Sequence, residues 1–200
     1  LSAQHEIVAV VTQPDRPAGR GRRQMVMPEV KRTALDHGLL VLQPESLRRD
    51  HATVERLRAL APDVLVLASF GQILRRPVLE LAPHGCLGVH ASLLPKYRGA
   101  APIPAAILHG ERETGVTLML TDVGMDTGPI LAQETLSIAP RETTATLTAR
   151  LADLGAALLL RTLPAWLSDE IAPRPQDESL ASYAPPIGKE DGAIDWSRPA

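Results

Sequence analysis

Cysteine, aromatic rings, long apolar runs and any excess of charge of one sign are all scarce in this 200-residue chain. A single cysteine, Cys86, excludes an internal disulfide and any multi-cysteine metal site. It stands in an apolar run, where a small buried hydrophobe is the reading and a nucleophile is not. Aromatic residues make up 2% of the chain, too few for a platform of exposed rings on which bases stack. No apolar run approaches a membrane span, and the opening LSAQHE has neither the basic nor the apolar region of a signal peptide. A net charge of −2 gives no global field toward nucleic acid or membrane. The spacing PAGRG is not a GxGxxG, Ser92 has no nucleophile elbow around it, and no His, Asp or Glu cluster has metal-ligand spacing. A reducing, cytoplasmic setting and metal-free chemistry are the expectation.

What is present is ordinary for a globular domain: 44% hydrophobic and 22% charged residues, enough for one real core. The β-branched run EIVAVVT (6–12) reads as a buried strand, and residues 13–28 as a loop dense in Pro, Gly and Arg. A helix over 28–37 stops at Gly38, and a short strand follows at 39–42. A helix over 51–60, a strand at 63–68, the turn SFGQ at 69–72, a short helix at 76–81 and a strand at 86–89 complete a β-α alternation. That alternation predicts an α/β fold with a mainly parallel sheet and helices on both faces. Pro102 and Pro104 delay the start of a helix that runs to about His109. Residues 115–121 and 130–138 read as an antiparallel hairpin toward the C-terminal part. Thr143 or Thr144 caps a long helix to about Leu163, with Leu147, Leu151, Leu154 and Leu158 in one apolar stripe. Residues 1–170 are expected to form the main domain, and 171–200, rich in Pro, Ser, Asp and Glu, an extended segment and the start of a linker.

The chemistry concentrates in LGVHASLLPKYRGAAPI (87–103) and DVGMDTG (122–128). His90 stands where a strand gives way to a loop, and strand carboxyl ends carry the ligand crevice in this sheet class. Imidazole titrates near neutrality and can donate to an oxygen that gains negative charge. His5, His37, His51, His84 and His109 sit in loops or at helix ends, where solvation is the default. Asp122 and Asp126 share a turn-forming loop; either carboxylate could orient His90 and relay a proton, and spacing does not choose between them. Arg16, Arg20, Arg22 and Arg23 lie on one basic loop suited to local phosphate contacts, although a solvated loop has the same composition.

TQPDRPAGRGRR, PVLELAPHGCLGVHASLLPKYRGAAPI, TGVT, DVGMDTG and KEDGAIDWS together resemble the methionyl-tRNA formyltransferase family over essentially the whole chain. The HxSLLPxxRG block with a downstream DTG marks folate-dependent formyltransferases as a group, and the DRPAGRG loop the branch acting on initiator tRNA. The resemblance implies a Rossmann-like catalytic domain that uses 10-formyltetrahydrofolate as co-substrate and initiator methionyl-tRNA as partner, as a monomer. It makes His90 and Asp126 the catalytic pair. Ser92, Leu93, Leu94 and Pro95 would line the folate site, with Phe70, Gly71, Gln72 and Ile73 as a neighbouring wall. Arg20 would reach the tRNA acceptor end. The family has a strand and helix before the point matching Leu1 and a β-barrel domain after the point matching Ala200, so a fragment is expected. One position departs: Gly88 stands where the family has an asparagine whose amide donates to the formyl oxygen. Loss of one such donor costs about a hundredfold to a thousandfold in rate, so binding would survive while turnover suffers. The alternatives are a formyltransferase acting on a small amine and a non-catalytic remnant that binds folate or tRNA.

Overall fold

The computed structural model describes residues 1–18, 24–193 and 196. In chain order the strands are β1 (Val10–Val11), β2 (Arg16–Ala18), β3 (Gln24–Val26), β4 (Val41–Leu42), β5 (Leu65–Ala68), β6 (Cys86–His90), β7 (Glu113–Leu120) and β8 (Ile130–Ser137). The helices are α1 (Glu29–Asp36), α2 (His51–Ala59), α3 (Arg76–Leu79), α4 (Pro102–Leu108) and α5 (Thr144–Leu167). Four strands form the main sheet in the order β5-β6-β7-β8; β5 and β6 are parallel, and β7 and β8 continue it antiparallel. β1 and β4 form a separate parallel pair, and β2 with β3 an antiparallel one.

β6 is the pivot of the site. Side chains alternate across a strand, so Leu87 and Val89 face one way while Cys86, Gly88 and His90 face the other. Leu87 lies in a core with Val116 and Leu118 of β7 and Leu147, Leu151, Leu158 and Leu163 of α5. Cys86 joins the opposite core, built from Leu42, Val54, Leu57, Leu74 and Val78. Leu154, from the predicted stripe, packs against the α5 core half-buried. The helix outlasts its predicted end at Leu163 and runs through Pro164 to Leu167, because buried Trp166 anchors the last turn by donating its indole N–H to the His84 carbonyl at 3.0 Å. Thr143 caps its start, accepting from the Thr146 amide.

Three expectations are corrected. α4 begins at Pro102 itself: first-turn amides have no helical acceptor, so prolines there cost nothing. The basic stretch predicted as a loop is a hairpin, with Arg16 paired to Val26 and Pro17 to Met25; its tip, with Arg20, Arg22 and Arg23, lies outside the described residues. The first strand is two residues long rather than spanning 6–12, since its only ladder is with the equally short β4. β1 and β5 both line an apolar cavity of about 840 Å³, and on that side neither has a strand partner among the described residues. Half of β5 is consequently exposed, Val66 at 39%.

Candidate active site

β5 and β6 run in parallel register, Ala68 beside Val89, so their carboxyl ends meet. The turn 69–72 leaves one strand there, and His90 closes the other. His90 is buried, and its Nε2 lies 2.9 Å from the Tyr97 carbonyl oxygen. A carbonyl only accepts, so Nε2 carries a proton and Nδ1 is the free ring atom. Nδ1 faces Asp126, 3.6 Å from Oδ2: too long for a hydrogen bond, close enough for a charge contact when the ring is protonated.

Geometry separates the two aspartates. Asp122 is absorbed by its own turn, accepting from the Gly124 amide at 3.0 Å and the Thr127 hydroxyl at 2.8 Å. Asp126 turns toward the histidine instead, and its Oδ2 accepts from the Gly99 amide at 2.7 Å. Its backbone is left-handed, φ 55°, a conformation that Asp tolerates better than most residues. Gly99 itself sits at φ 107°, where an added Cβ would come within 2.8 Å of the Ala184 carbonyl.

Around this pair the predicted residues fall into three groups. Ser92 is fully buried, and its hydroxyl donates to the Lys96 carbonyl at 2.6 Å, closing the loop 92–96. The Leu94 amide donates to the Thr117 hydroxyl, and the Leu94 carbonyl accepts from Gln133, so the SLLP loop is pinned to β7 and β8; the Leu94–Pro95 bond is cis. Leu94 is buried, Leu93 and Pro95 half-buried. Phe70 and Gly71, with Gln13, Arg16 and Pro28, line a second cavity of about 530 Å³ that joins the SFGQ turn to the base of the basic hairpin. Gln13 donates to the Phe70 carbonyl at 2.7 Å, and Gln72 accepts from the Leu47 amide at 2.9 Å; Ile73 is exposed. Arg16 is exposed and donates to the Gln13 side chain. Next to it, Lys31 and Gln43 hold the Asp15 carboxylate, whose pKa is lowered first by the Gln43 hydrogen bond and then by Lys31.

Gly88 is buried opposite Met119 of β7, on the same strand face as His90. A Cβ there would meet the Thr121 hydroxyl at 2.9 Å and the Met119 methyl at 3.2 Å. The Thr121 hydroxyl oxygen is itself buried without a hydrogen-bond partner. Four groups that sequence reasoning missed build the same site: the Tyr97 carbonyl, the Gly99 amide, Arg98 and Gln176. The glycine of KYRG carried the available signal, since glycine permits the positive φ that the turn takes at Gly99. Tyr97 is buried beside Glu111, to which its hydroxyl donates at 2.7 Å; burial, then that carboxylate, pushes its pKa up to about 12. His109, predicted as solvated, stacks on the Tyr97 ring with centroids 5.6 Å apart.

A strand-end histidine set against a loop carboxylate at the carboxyl edge of an α/β sheet is an arrangement able to move a proton. The chain belongs to the Formyl transferase family, which matches residues 1–163. It is 56% identical over 200 residues to a methionyl-tRNA formyltransferase of Chloroflexus aggregans, covering 100% of this chain and 64% of that protein. To the methionyl-tRNA formyltransferase of Myxococcus xanthus it is 51% identical over 195 residues, 98% of this chain and 62% of the relative. The chain thus spans less than two thirds of the length of these relatives. Among solved structures, a phosphoribosylglycinamide formyltransferase from Bacillus halodurans superposes with a TM-score of 0.65 at 27% identity, covering 82% of this chain and 80% of that one. A glycinamide ribonucleotide transformylase from Symbiobacterium toebii shares the fold at a TM-score of 0.71 and 23% identity, over 86% of this chain and 81% of its own. No helix among the described residues is long and apolar enough to cross a membrane.

Proposed function

We propose that this chain is the catalytic part of an enzyme that transfers a formyl group from 10-formyltetrahydrofolate to the methionine α-amine of initiator methionyl-tRNA, in the cytoplasm. The observation that carries the reading is the 3.6 Å approach of His90 Nδ1 to Asp126 at the carboxyl edge of a Formyl transferase sheet. Full-length coverage of this chain by methionyl-tRNA formyltransferases at 56% identity supports the choice of substrate.

The reaction is an acyl transfer. The amine nitrogen bonds to the formyl carbon, and the carbonyl electron pair moves onto the formyl oxygen. Protonated His90 faces that charge through Nδ1, the ring atom that Tyr97 leaves free. Asp126, fixed by the Gly99 amide, lies against the ring and takes the amine proton through water. The carbonyl re-forms, the bond to the folate nitrogen breaks, and that nitrogen gains a proton. No step calls on a metal. Ser92, Leu93, Leu94, Pro95 and the 70–73 turn bind the folate. Arg20, with Arg16, Arg22 and Arg23, contacts the acceptor end of the tRNA.

The test is formyl transfer by the full-length protein to charged initiator tRNA. His90→Ala and Asp126→Ala should each lower turnover by about a hundredfold or more. Absence of transfer in the unsubstituted protein, with Gly88→Asn as inactive as the parent, would overturn the enzymatic reading and leave a binding remnant. A second reading, a small amine as acceptor, is favoured by the solved glycinamide ribonucleotide enzymes that share the fold. Arg20→Glu discriminates: it should cripple transfer to tRNA and leave transfer to a small amine unchanged.

A further inference from the structure

We infer that Gln176 is a positioning residue that holds Asp126 against His90. The inference rests on the reading of those two residues as the reacting pair. Gln176 lies beyond residue 163, where the family match ends, in a tape of chain that crosses both site loops. The tape is latched at Arg174, which pairs with Ile130, and at Ser182 and Ala184, which pair with Pro95, Arg98 and Ala101. Between these points it is exposed, with one exception. Of residues 172–183, Gln176 is the half-buried one.

Its carboxamide is fully engaged. Nε2 donates to the Asp126 carbonyl at 2.8 Å and to the Gly128 carbonyl at 2.7 Å. Oε1 accepts from Arg98 Nε at 3.1 Å and Nη2 at 2.8 Å. The orientation of the amide follows from its partners, since carbonyls only accept and guanidinium only donates. Arg98 is buried, and Glu178 takes the rest of its fork at 2.7 and 2.8 Å. Gln176 therefore bolts the KYRG turn to the DTG loop. Those two loops already meet once, where the Gly99 amide holds the Asp126 carboxylate. Asp126 is thus gripped at both ends, side chain by Gly99 and backbone by Gln176. A left-handed non-glycine backbone persists where its surroundings over-determine it, and here Gln176 supplies the backbone contact and Gly99 the side-chain contact. Without it the carboxylate is held by the Gly99 amide alone, beside a histidine it does not touch by a hydrogen bond, and misplacement of about 1 Å in a reacting pair costs about a hundredfold.

The experiment uses the full-length protein with Gln176→Ala and Gln176→Glu. Glutamate keeps the size and the pairing with Arg98 but has nothing to donate to the two carbonyls. Asp177→Ala is the comparator, because that carboxylate serves Ser179 within the tape. Steady-state formyl transfer is measured with the Gly99 amide resonance followed in parallel. Both Gln176 variants should lose about tenfold to a hundredfold in kcat with KM for either substrate within about twofold, and should move the Gly99 resonance. Asp177→Ala should do neither. Equal kcat in both Gln176 variants and the parent, an unmoved Gly99 resonance, or an equal loss in Asp177→Ala would overturn the assignment. An unsubstituted protein that transfers nothing would instead sink the proposed reaction; the Gly99 resonance would still decide whether Gln176 places the loop.

Discussion

Gly88 has side-chain atoms of Met119 and Thr121 closed over it: the methyl at the flexible end of Met119, and the hydroxyl of Thr121, which moves only by turning about χ1. An asparagine is admitted there only if Thr121 and Met119 both turn aside, and it would then bring an amide to the face of the strand that carries His90. On the proposed function, Gly88→Asn should then raise kcat by about a hundredfold to a thousandfold in the full-length protein, the size of one recovered oxyanion donor. No rise in a folded variant would mean that the family's donor has been replaced by another group. Tyr97 and Cys86 give a pH signature of the same neighbourhood. Burial pushes the Cys86 thiol from 9.0 to about 11, and burial with Glu111 pushes Tyr97 from 10.0 to about 12. Folding thus favours the neutral form of each. Their stabilising contributions are complete below the ordinary values and disappear as pH rises through the raised ones. Thermal melts from pH 9 to 12 should fall steeply; Tyr97→Phe should flatten the upper part of that curve and Cys86→Ala the lower. Identical curves in all three proteins would show that neither group is coupled to folding.

The long helix α5 supports the site from the far side of the sheet. Leu147, Leu151 and Leu158 bury against β6 and β7, and Gly155 lets the helix approach Val89, the residue before His90. A Cβ on Gly155 would meet the Val89 side chain at 3.1 Å. Gly155→Leu should cost about 1–3 kcal/mol by overpacking and should displace His90 with its strand, lowering turnover as well as stability. Leu151→Ala should cost about 2–5 kcal/mol while sparing turnover per folded molecule, because it leaves a cavity instead of pushing the strand. Chemical denaturation read beside activity separates the two. The stripe that makes α5 was visible in the spacing of its leucines, as were its cap at Thr143 or Thr144 and the strand that becomes β6. The hairpin β2–β3 was not, because Arg, Pro and Gly give no apolar period; its ladder is backbone pairing that composition does not encode.

For the whole molecule, the apolar cavity between β1 and β5 is the main liability. Two strands without partners on that side among the described residues, one with Val66 exposed at 39%, are a template for pairing with another chain. Residues 1–200 expressed alone should bind a hydrophobic dye and aggregate with rising concentration, and Val66→Lys should slow the aggregation. A dye-silent, monomeric fragment would show that the cavity closes in solution. Charge acts at this level too. On the proposed function, and with a net charge of −2 over these 200 residues, the attraction that this part of the protein offers to tRNA comes from its basic arm. Salt should therefore weaken tRNA binding with a shallow slope of about 3–4, from the four arginines, and Arg20→Glu should reduce that slope by about 1.

Periodicity, capping residues and the block around His90 were enough to specify most of the elements, the α/β class and His90 as the candidate histidine, because each is a property of neighbouring residues; Asp126 was singled out only by the family resemblance. The choice of Asp126 over Asp122 on physical grounds needed the fold. Both carboxylates sit in one loop, and only the approach of that loop to the KYRG turn turns one inward while its neighbour satisfies itself. The role of Gln176 was further out of reach, 86 residues along the chain from His90 in a stretch without period. Its function is a set of long-range hydrogen bonds, and partners so distant in sequence leave no mark on the residues around them.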